Sequence, residues 1–202
     1  LRGLVGSEMC IRDRYYALLT ITLYEVNADK KALEKSIKIM NDTWELFFNK
    51  ETQLFQKNII KDNDLFASPL DLNDSNIPNG NSVYLLISNK LYSITNDKIW
   101  SERNEVLKKS FHQVLNSYYS QMFSFIKTLD ICDNSLSFTF SGTSQSIKEI
   151  QLYLQKEYLG VATFVYQLNN DTKPSVIVCK NQTCSNKLTN INEAVEYLSK
   201  SY

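Results

Sequence analysis

The segment from Asp74 to Ser82 holds the side chains best suited to chemistry. It places a carboxylate, short amides and a glycine directly before a helical pattern that starts at Val83. The unpaired N–H groups of a helix start can hold polar ligands, and Asp74 could act as a general acid or base if it is desolvated. The structural alternative is a capped helix start, with Gly80 allowing close packing. Asp74 is therefore the catalytic candidate, and the ligand-pocket candidates are Asn76, Asn79, Gly80, Asn81 and Ser82.

Cys179 and Cys184 form the second candidate site. Four residues separate them at the end of a predicted strand, and a chain reversal there could bring their Cα atoms within the disulfide limit of about 7 Å. A redox role requires a lowered thiol pKa and exposure, and the pair is not a C-x-x-C motif. The alternatives are two structural thiols, a disulfide or redox pair, and a metal site. We expect two reduced thiols.

No metal or cofactor site is predicted. Structural zinc needs four ligands, and beyond the cysteine pair only Cys132 and His112 remain, on a different segment. Phosphate-loop and dinucleotide motifs need more glycine than the five residues present. His112 is expected at the surface, and without a Gly-x-Ser-x-Gly motif a Ser–His–Asp hydrolase has little support.

Aromatic residues at helical spacing have two interpretations. They could stack sugars in a pocket, but such residues more commonly pack in a core. The set comprises Trp44, Phe47, Phe48, Trp100, Tyr118 and Tyr119.

Charge and hydropathy narrow the classes of partner. The chain has 22 basic and 22 acidic residues among 202, which argues against a nucleic-acid-binding surface, because phosphate affinity needs clustered Lys and Arg. No apolar run approaches the roughly 18–20 residues of a spanning helix, so no membrane partner is expected. With 43% hydrophobic residues, the chain can build a sizeable core.

The elements that must position these residues follow from periodicity. Apolar spacing predicts a helical hairpin over 15–27 and 31–49, then helices from Val83, over 99–116 and over 118–131. Alternation at Leu136, Phe138 and Phe140 marks a change to strand, followed by a helix over 144–158, strands over 160–168 and 175–180, and a closing helix over 192–200. We predict helical hairpins over 15–132 and a small α/β segment over 133–202.

Residues 1–14, LRGLVGSEMCIRDR, are set apart from this pattern. They show no helical or strand period, and GSEMCIRDR resembles a translated sequencing adapter. The alternative is a genuine amphipathic N-terminal segment. We expect residues 1–14 to be a disordered, non-native artefact and the chain to be a C-terminal fragment of a longer protein.

Three stretches resemble one family. Ile77-Pro78-Asn79-Gly80-Asn81-Ser82-Val83 resembles a PSGNS helix start, and Val176–Cys184 resembles a strand followed by C-x-x-x-x-C. Asn190-Ile191-Asn192-Glu193-Ala194 resembles a final capped helix. These features, in this order over about residues 15–200, are similar to the thioredoxin-domain-containing (YyaL-like, or spermatogenesis-associated) proteins.

The resemblance implies a fold and two hypotheses of function. The fold is mostly α: a partial six-hairpin α/α toroid, whose inner loops line a central pocket, followed by the C-terminal α/β segment. One hypothesis is that this toroid region binds or acts on a carbohydrate-like ligand. The other is a non-catalytic scaffold for an N-terminal thioredoxin-like redox domain that this chain lacks. Whether the chain is an enzyme stays open, and the implied location is cytoplasmic.

The chain departs from the family pattern in the loop before the PSGNS-like motif. Ser68 stands before Pro69 where a basic residue is usual, Leu70 follows where a Lys is common, and Asn79 replaces a serine. If the family's basic side chains bind an anionic or sugar ligand, that binding is in doubt here.

Overall fold

The computed structural model describes residues 9–57, 69–74, 76–158, 160–180 and 183–201. The stretch 58–68, which includes Ser68, and the residues Asn181 and Gln182 therefore lie outside the described residues. The chain divides into two compact units, Leu1–Cys132 and Asp133–Tyr202, which are described separately.

Four helices and a short hairpin make up most of the first unit. Helix α1 (Met9–Asn27) packs along α2 (Lys30–Phe47), and α3 (Gly80–Thr95) packs along α4 (Lys98–Tyr118). Strands β1 (Phe48–Asn49) and β2 (Leu54–Phe55) pair antiparallel between the two helix pairs. A short 3-10 turn (Tyr119–Gln121) leads into α5 (Phe123–Asn134).

Capping side chains and left-handed residues define the helix boundaries. The Asp29 carboxylate accepts the Lys31 N–H at the start of α2, and Asp97 accepts the Ile99 N–H at the start of α4. Ala28 and Asn96 adopt φ of 56° and 55°, which reverses the chain between paired helices. Short connections of this kind place consecutive helices side by side.

The second unit is built on a four-stranded mixed sheet. Its strands are β3 (Leu136–Gly142), β4 (Ala162–Leu168), β5 (Ser175–Lys180) and β6 (Thr183–Cys184), in the order β4-β3-β5-β6. Helix α6 (Ser144–Glu157) connects the parallel pair β3 and β4, and α7 (Ile191–Ser201) ends the unit. β3 and β5 are antiparallel, with Phe138 opposite Val178.

Each unit has its own hydrophobic core. The first centres on aromatic and aliphatic side chains that include Met40, Phe55, Tyr84, Leu107, Phe111 and Phe125. The second is formed by the sheet and its helices and includes Phe138, Phe140, Ile147, Leu154, Val176 and Val178.

The expectation of a mostly α, six-hairpin toroid is wrong. The described residues form seven α-helices and two small sheets, one of them four-stranded and mixed, which is an α/β mix. In the described part of the first unit, α1 packs against α2 and α3, and α3 packs against α4. Hydrophobic period predicts where helices lie, whereas a ring requires helix-to-helix packing that period alone does not encode.

The expectation that residues 1–14 are disordered is wrong from Met9 onward. Helix α1 begins at Met9, and the Arg14 side chain is fully buried. Arg14 is buried but charged, so it adds nothing to an apolar period. For this reason the hydrophobic pattern did not predict the start of α1. Residues 1–8 lie outside the described residues, and the adapter resemblance stays a prediction.

Candidate functional site

The start of α3 is organised around a buried ion pair. Arg14 of α1 donates from Nη1 to Oδ2 of Asp71 at 2.9 Å, and both side chains are at most 1% exposed. The same carboxylate oxygen accepts the Gly80 N–H at 2.8 Å. An anion at a helix N-terminus satisfies a backbone donor that the helix itself leaves unpaired.

Gly80 occupies a position with no room for a side chain. A Cβ built there would overlap Arg14 Nη1 and Asp71 Oδ2. The glycine is therefore required by the close approach of the ion pair to the backbone.

Asn81 connects this helix start to the hairpin. Its Oδ1 accepts the Phe55 N–H at 2.9 Å, and its Nδ2 donates to the Asp71 carbonyl at 2.6 Å. The Asp71 N–H in turn donates to the Phe55 carbonyl at 3.0 Å. Asn81 is fully buried, and its side-chain amide forms hydrogen bonds with the backbone of β2 and of the loop before α3.

Asp74 receives four hydrogen bonds. Its Oδ1 accepts the backbone N–H and the side-chain Nδ2 of Asn79, both at 2.9 Å, together with the Ser124 hydroxyl. Its Oδ2 accepts the Ser124 N–H at 2.7 Å. Partial burial raises the pKa of Asp74, but the hydrogen bonds from Ser124 and Asn79 outweigh it and hold the pKa below its usual value.

Asn79 and Ser82 complete the network. The Asn79 Oδ1 caps α3 by accepting the Ser82 N–H and the Ser82 hydroxyl, each at 3.0 Å. The Ser124 hydroxyl also lies 2.9 Å from the Ser82 hydroxyl. The structure thus brings Asp74, Asn79 and Ser82 together and adds Ser124 of α5, whereas Asn76 is exposed.

The hydrogen bonds around Asp74 are suited to stabilising the fold. An ionised carboxylate with four donors has no proton to give, and its acceptor positions are occupied. Each described hydrogen bond to the Asp74 carboxylate comes from the start of α3 or of α5, as the capped-helix alternative requires. Catalysis by Asp74 and ligand binding in the loop remain predictions.

Cys179 and Cys184 are joined as a disulfide, contrary to the reduced state that we expected. They lie directly opposite each other in the antiparallel β5–β6 pair, with Cα atoms 4.0 Å apart. Cys184 is exposed, Cys179 is half-buried and Thr183 between them is exposed. Spacing showed that the two residues could meet, but only the strand register places them face to face.

Of the remaining candidates, His112, Phe47 and Trp100 lie where the structural alternatives put them, whereas Tyr119 does not. His112 is exposed, while Phe47 and Trp100 are buried. Trp44 stacks on Phe48 with ring centroids 3.8 Å apart. Tyr119 is largely exposed, and the side chain of Tyr118 lies outside the described residues. Within the described part of the chain, no group of three His, Cys, Asp or Glu side chains is placed to hold a metal ion.

Two residues of this region went unnoticed in the sequence. Arg14 was set aside with the N-terminal segment, and Ser124 sits in a predicted helix far along the chain. The sequence held one signal for this network. Asp71 lies three residues before Asp74 in the same Asp- and Asn-rich loop, which marks it as a second candidate carboxylate.

Two further findings bear on identity. Among the described residues, no helix is both long enough and apolar enough to cross a membrane. Comparison with known protein families and with curated proteins finds no match to this chain.

Proposed function

We propose that this chain is a non-catalytic scaffold whose first unit docks a second folded domain through helix α1. The observation that supports the proposal is an exposed apolar seam on α1, formed by Tyr16, Leu19, Leu23 and Val26. Their spacing of 3, 4 and 3 places them on one face of the helix. Each is between 42% and 54% exposed.

The opposite face of α1 is already used. Ala17, Ile21 and Tyr24 are buried in the core of the first unit. A helix with apolar residues on both faces normally packs on two sides. The seam therefore corresponds to a second packing surface, one helix wide.

Buried ion pairs fix α1 at both ends, which makes the seam rigid. Arg14 pairs with Asp71 near its start, and Lys90 Nζ of α3 lies 2.7 Å from Glu25 Oε1 near its end. A preorganised surface loses little conformational freedom on binding.

The shape of the seam favours a helical partner. A narrow stripe at this spacing is the geometry of helix-to-helix packing. The exposed residue inside the stripe, Thr22, is uncharged. We infer that the occupant is an amphipathic helix with a matching apolar stripe, supplied by the thioredoxin-like domain that the family resemblance implies.

The test of the surface uses a matched pair of leucines. Leu19 is 54% exposed on the seam, and Leu152 of α6 is 53% exposed in the second unit. We expect concentration-dependent association of the chain in sedimentation velocity, weakened by Leu19→Glu and unaffected by Leu152→Glu. Equal behaviour of the two variants would contradict a specific seam.

The test of the partner uses a recombinant thioredoxin-like domain of the kind that the family resemblance implies. We expect it to bind the chain in isothermal titration calorimetry with a negative heat-capacity change, which marks apolar burial. Leu19→Glu and Leu23→Glu should each weaken binding by about tenfold or more. Binding that is unchanged in both variants would place the interface elsewhere.

A further inference from the structure

The Cys179–Cys184 disulfide lies at one end of the four-stranded sheet. Among the described strands, β6 is the last in the sheet order, and it has two residues, Thr183 and Cys184. Cys184 is exposed, whereas Cys179 on β5 is half-buried. The bond therefore lies at the surface of the second unit, and Cys184 is its more accessible half. Exposed disulfides are among those that exchange most readily with thiols.

The disulfide lies on the sheet face that points away from the core. Cys179 is in register with Ser137 of β3, whereas the adjacent register pair, Phe138 and Val178, is buried in the core of the second unit. Successive side chains of a strand point to opposite faces of the sheet. Breaking the bond therefore opens no gap among the core side chains.

Hydrogen bonds beside the disulfide hold the two strands in register without it. The Ser185 N–H donates to the Val178 carbonyl at 2.8 Å, and the Val178 N–H donates to Ser185 Oγ at 3.0 Å. Further along, Val176 and Leu188 exchange two backbone hydrogen bonds, of 2.8 and 2.9 Å. These bonds keep the two cysteines opposite each other when they are reduced, so that the disulfide can form again.

The short loop that the disulfide closes limits how strongly the fold stabilises the bond. Only four residues separate Cys179 from Cys184. A bond across so short a loop removes less entropy from the unfolded chain than one across a long loop, so it stabilises the fold only modestly. Because such coupling is reciprocal, the fold in turn adds only modestly to the stability of the bond.

We propose that Cys179 and Cys184 form a reversible redox site that accepts two electrons from a dithiol. A thiolate of the dithiol attacks Cys184 Sγ, which forms a mixed disulfide and releases Cys179 as a thiolate. The second thiolate of the dithiol then attacks its partner sulfur in the mixed disulfide and releases Cys184. The dithiol leaves as a disulfide, and the two protons it has lost balance those taken up by the two cysteines. The proposal concerns the second unit alone and does not rest on the α1 seam.

The fixed register favours a dithiol over a monothiol. After the first attack, the Cys179 thiolate remains opposite Cys184 and can attack the mixed disulfide, which expels the incoming thiol and restores the original bond. A monothiol must meet a second molecule before this reversal occurs. A dithiol carries its second thiol at high effective concentration and completes the exchange within one complex.

The equilibrium is measured on the unmodified chain in buffers of reduced and oxidised glutathione, by alkylation and mass spectrometry. We expect Cys179 and Cys184 to pass together from unlabelled to labelled across this range, and to form the disulfide again on return to oxidised glutathione. The far-ultraviolet circular dichroism spectrum should stay the same throughout. Structural disulfides resist reduction by glutathione. Cysteines that stay unlabelled in reduced glutathione, or become labelled only as the spectrum is lost, would overturn the proposal.

Single variants test the role of each sulfur, in a chain that also carries Cys10→Ser and Cys132→Ser. The thiol of Cys184 in Cys179→Ser should react with dithionitrobenzoate about tenfold or more faster than that of Cys179 in Cys184→Ser, because Cys184 is the exposed residue. Equal rates would contradict attack at Cys184.

Treatment with glutathione shows whether Cys179 resolves the mixed disulfide. In Cys179→Ser, oxidised glutathione should leave a lasting mixed disulfide on Cys184, whereas the chain with both cysteines should accumulate none. A mixed disulfide that lasts in both would contradict the resolving role of Cys179. Cys132→Ser alone is the matched control, and it should leave the glutathione equilibrium of the pair unchanged. A shifted equilibrium in this control would show that Cys132 takes part and that the two cysteines are not a self-contained site.

Discussion

At the scale of single residues, hydrogen-bond partners decide what a carboxylate does. Asp74 and Asp71 lie in one polar loop, yet they have different partners. Asp71 is paired with a guanidinium and a helix N–H, whereas Asp74 is held by Asn79 and Ser124. The hydrogen bonds from Ser124 and Asn79 hold the pKa of Asp74 below its usual value, so Asp74 is not positioned to exchange a proton near neutral pH.

The lowered pKa of Asp74 predicts a pH dependence of stability. A carboxyl whose pKa is lower in the folded state contributes stability above its unfolded pKa, and this contribution is lost as the pH falls through the folded pKa. We expect Asp74→Asn to reduce the free energy of unfolding at pH 7 by about 1–3 kcal/mol, because hydrogen bonds to a charged group are lost.

Chemical denaturation at several pH values checks this prediction. The difference between the original chain and Asp74→Asn should shrink below the ordinary aspartate range, where the original chain also loses the charge. A constant difference down to low pH would show that the ionisation of Asp74 contributes nothing. Asn76→Asp, at an exposed position of the same loop, controls for nonspecific charge effects.

At the scale of elements, α1 and the β5–β6 hairpin each have a specific connection besides their apolar contacts. For α1 it is the Arg14–Asp71 ion pair near its start, and for the hairpin it is the Cys179–Cys184 disulfide. Neither contributes to the apolar pattern of its element. The stability of both elements therefore depends on residues that periodicity does not mark.

Removing residues 1–14 should destabilise the first unit. Loss of Arg14 leaves Asp71 buried without its counter-charge, which costs about 3–5 kcal/mol. Differential scanning calorimetry should show Tm falling by on the order of 10 °C. Arg14→Met should reproduce the effect, whereas Arg12→Met, at an exposed position, should not. An unchanged Tm after truncation would support a non-native origin for the whole segment.

Reduction should weaken the second unit modestly. The disulfide closes a short loop between adjacent strands, for which chain entropy gives about 2 kcal/mol. We expect dithiothreitol to lower the free energy of unfolding of the original chain and to leave that of Cys184→Ser unchanged. Alkylation and mass spectrometry of protein purified without reductant should find Cys179 and Cys184 unlabelled. Quantitative labelling of both would restore the reduced, structural interpretation.

At the scale of the whole molecule, the chain has two hydrophobic cores. Both tryptophans lie in the first unit, so tryptophan fluorescence reports the unfolding of that unit alone. Phe111 belongs to the first core and Phe138 to the second, and both are fully buried.

Substitutions in the two cores should therefore be separable. Phe111→Ala should lower the fluorescence-detected midpoint, because deletion of a buried aromatic ring costs about 3–5 kcal/mol. Phe138→Ala should lower the midpoint seen by circular dichroism while leaving the fluorescence midpoint in place. If Phe111→Ala and Phe138→Ala lower the fluorescence-detected midpoint equally, the two cores unfold in a single transition.

Local features of this protein were determined by the sequence itself. The apolar spacing of Leu33, Ile37, Met40 and Trp44 predicted α2, and the alternation at Leu136, Phe138 and Phe140 predicted β3. The polar cluster at the start of α3 was also predictable, because Asn79 and Ser82 interact within one turn. Such patterns work because they depend on neighbours a few residues apart.

The tertiary structure alone decided how these elements combine. The pairs Arg14–Asp71, Asp74–Ser124 and Asn41–Arg103 join residues 57, 50 and 62 positions apart, beyond the reach of any periodicity. The same holds for the strand order of the mixed sheet, for the helix packing that contradicts the expected toroid, and for the exposed seam of α1. A local pattern shows that a face is apolar or a side chain charged, but what covers that face or balances that charge depends on which distant residues the fold brings against it.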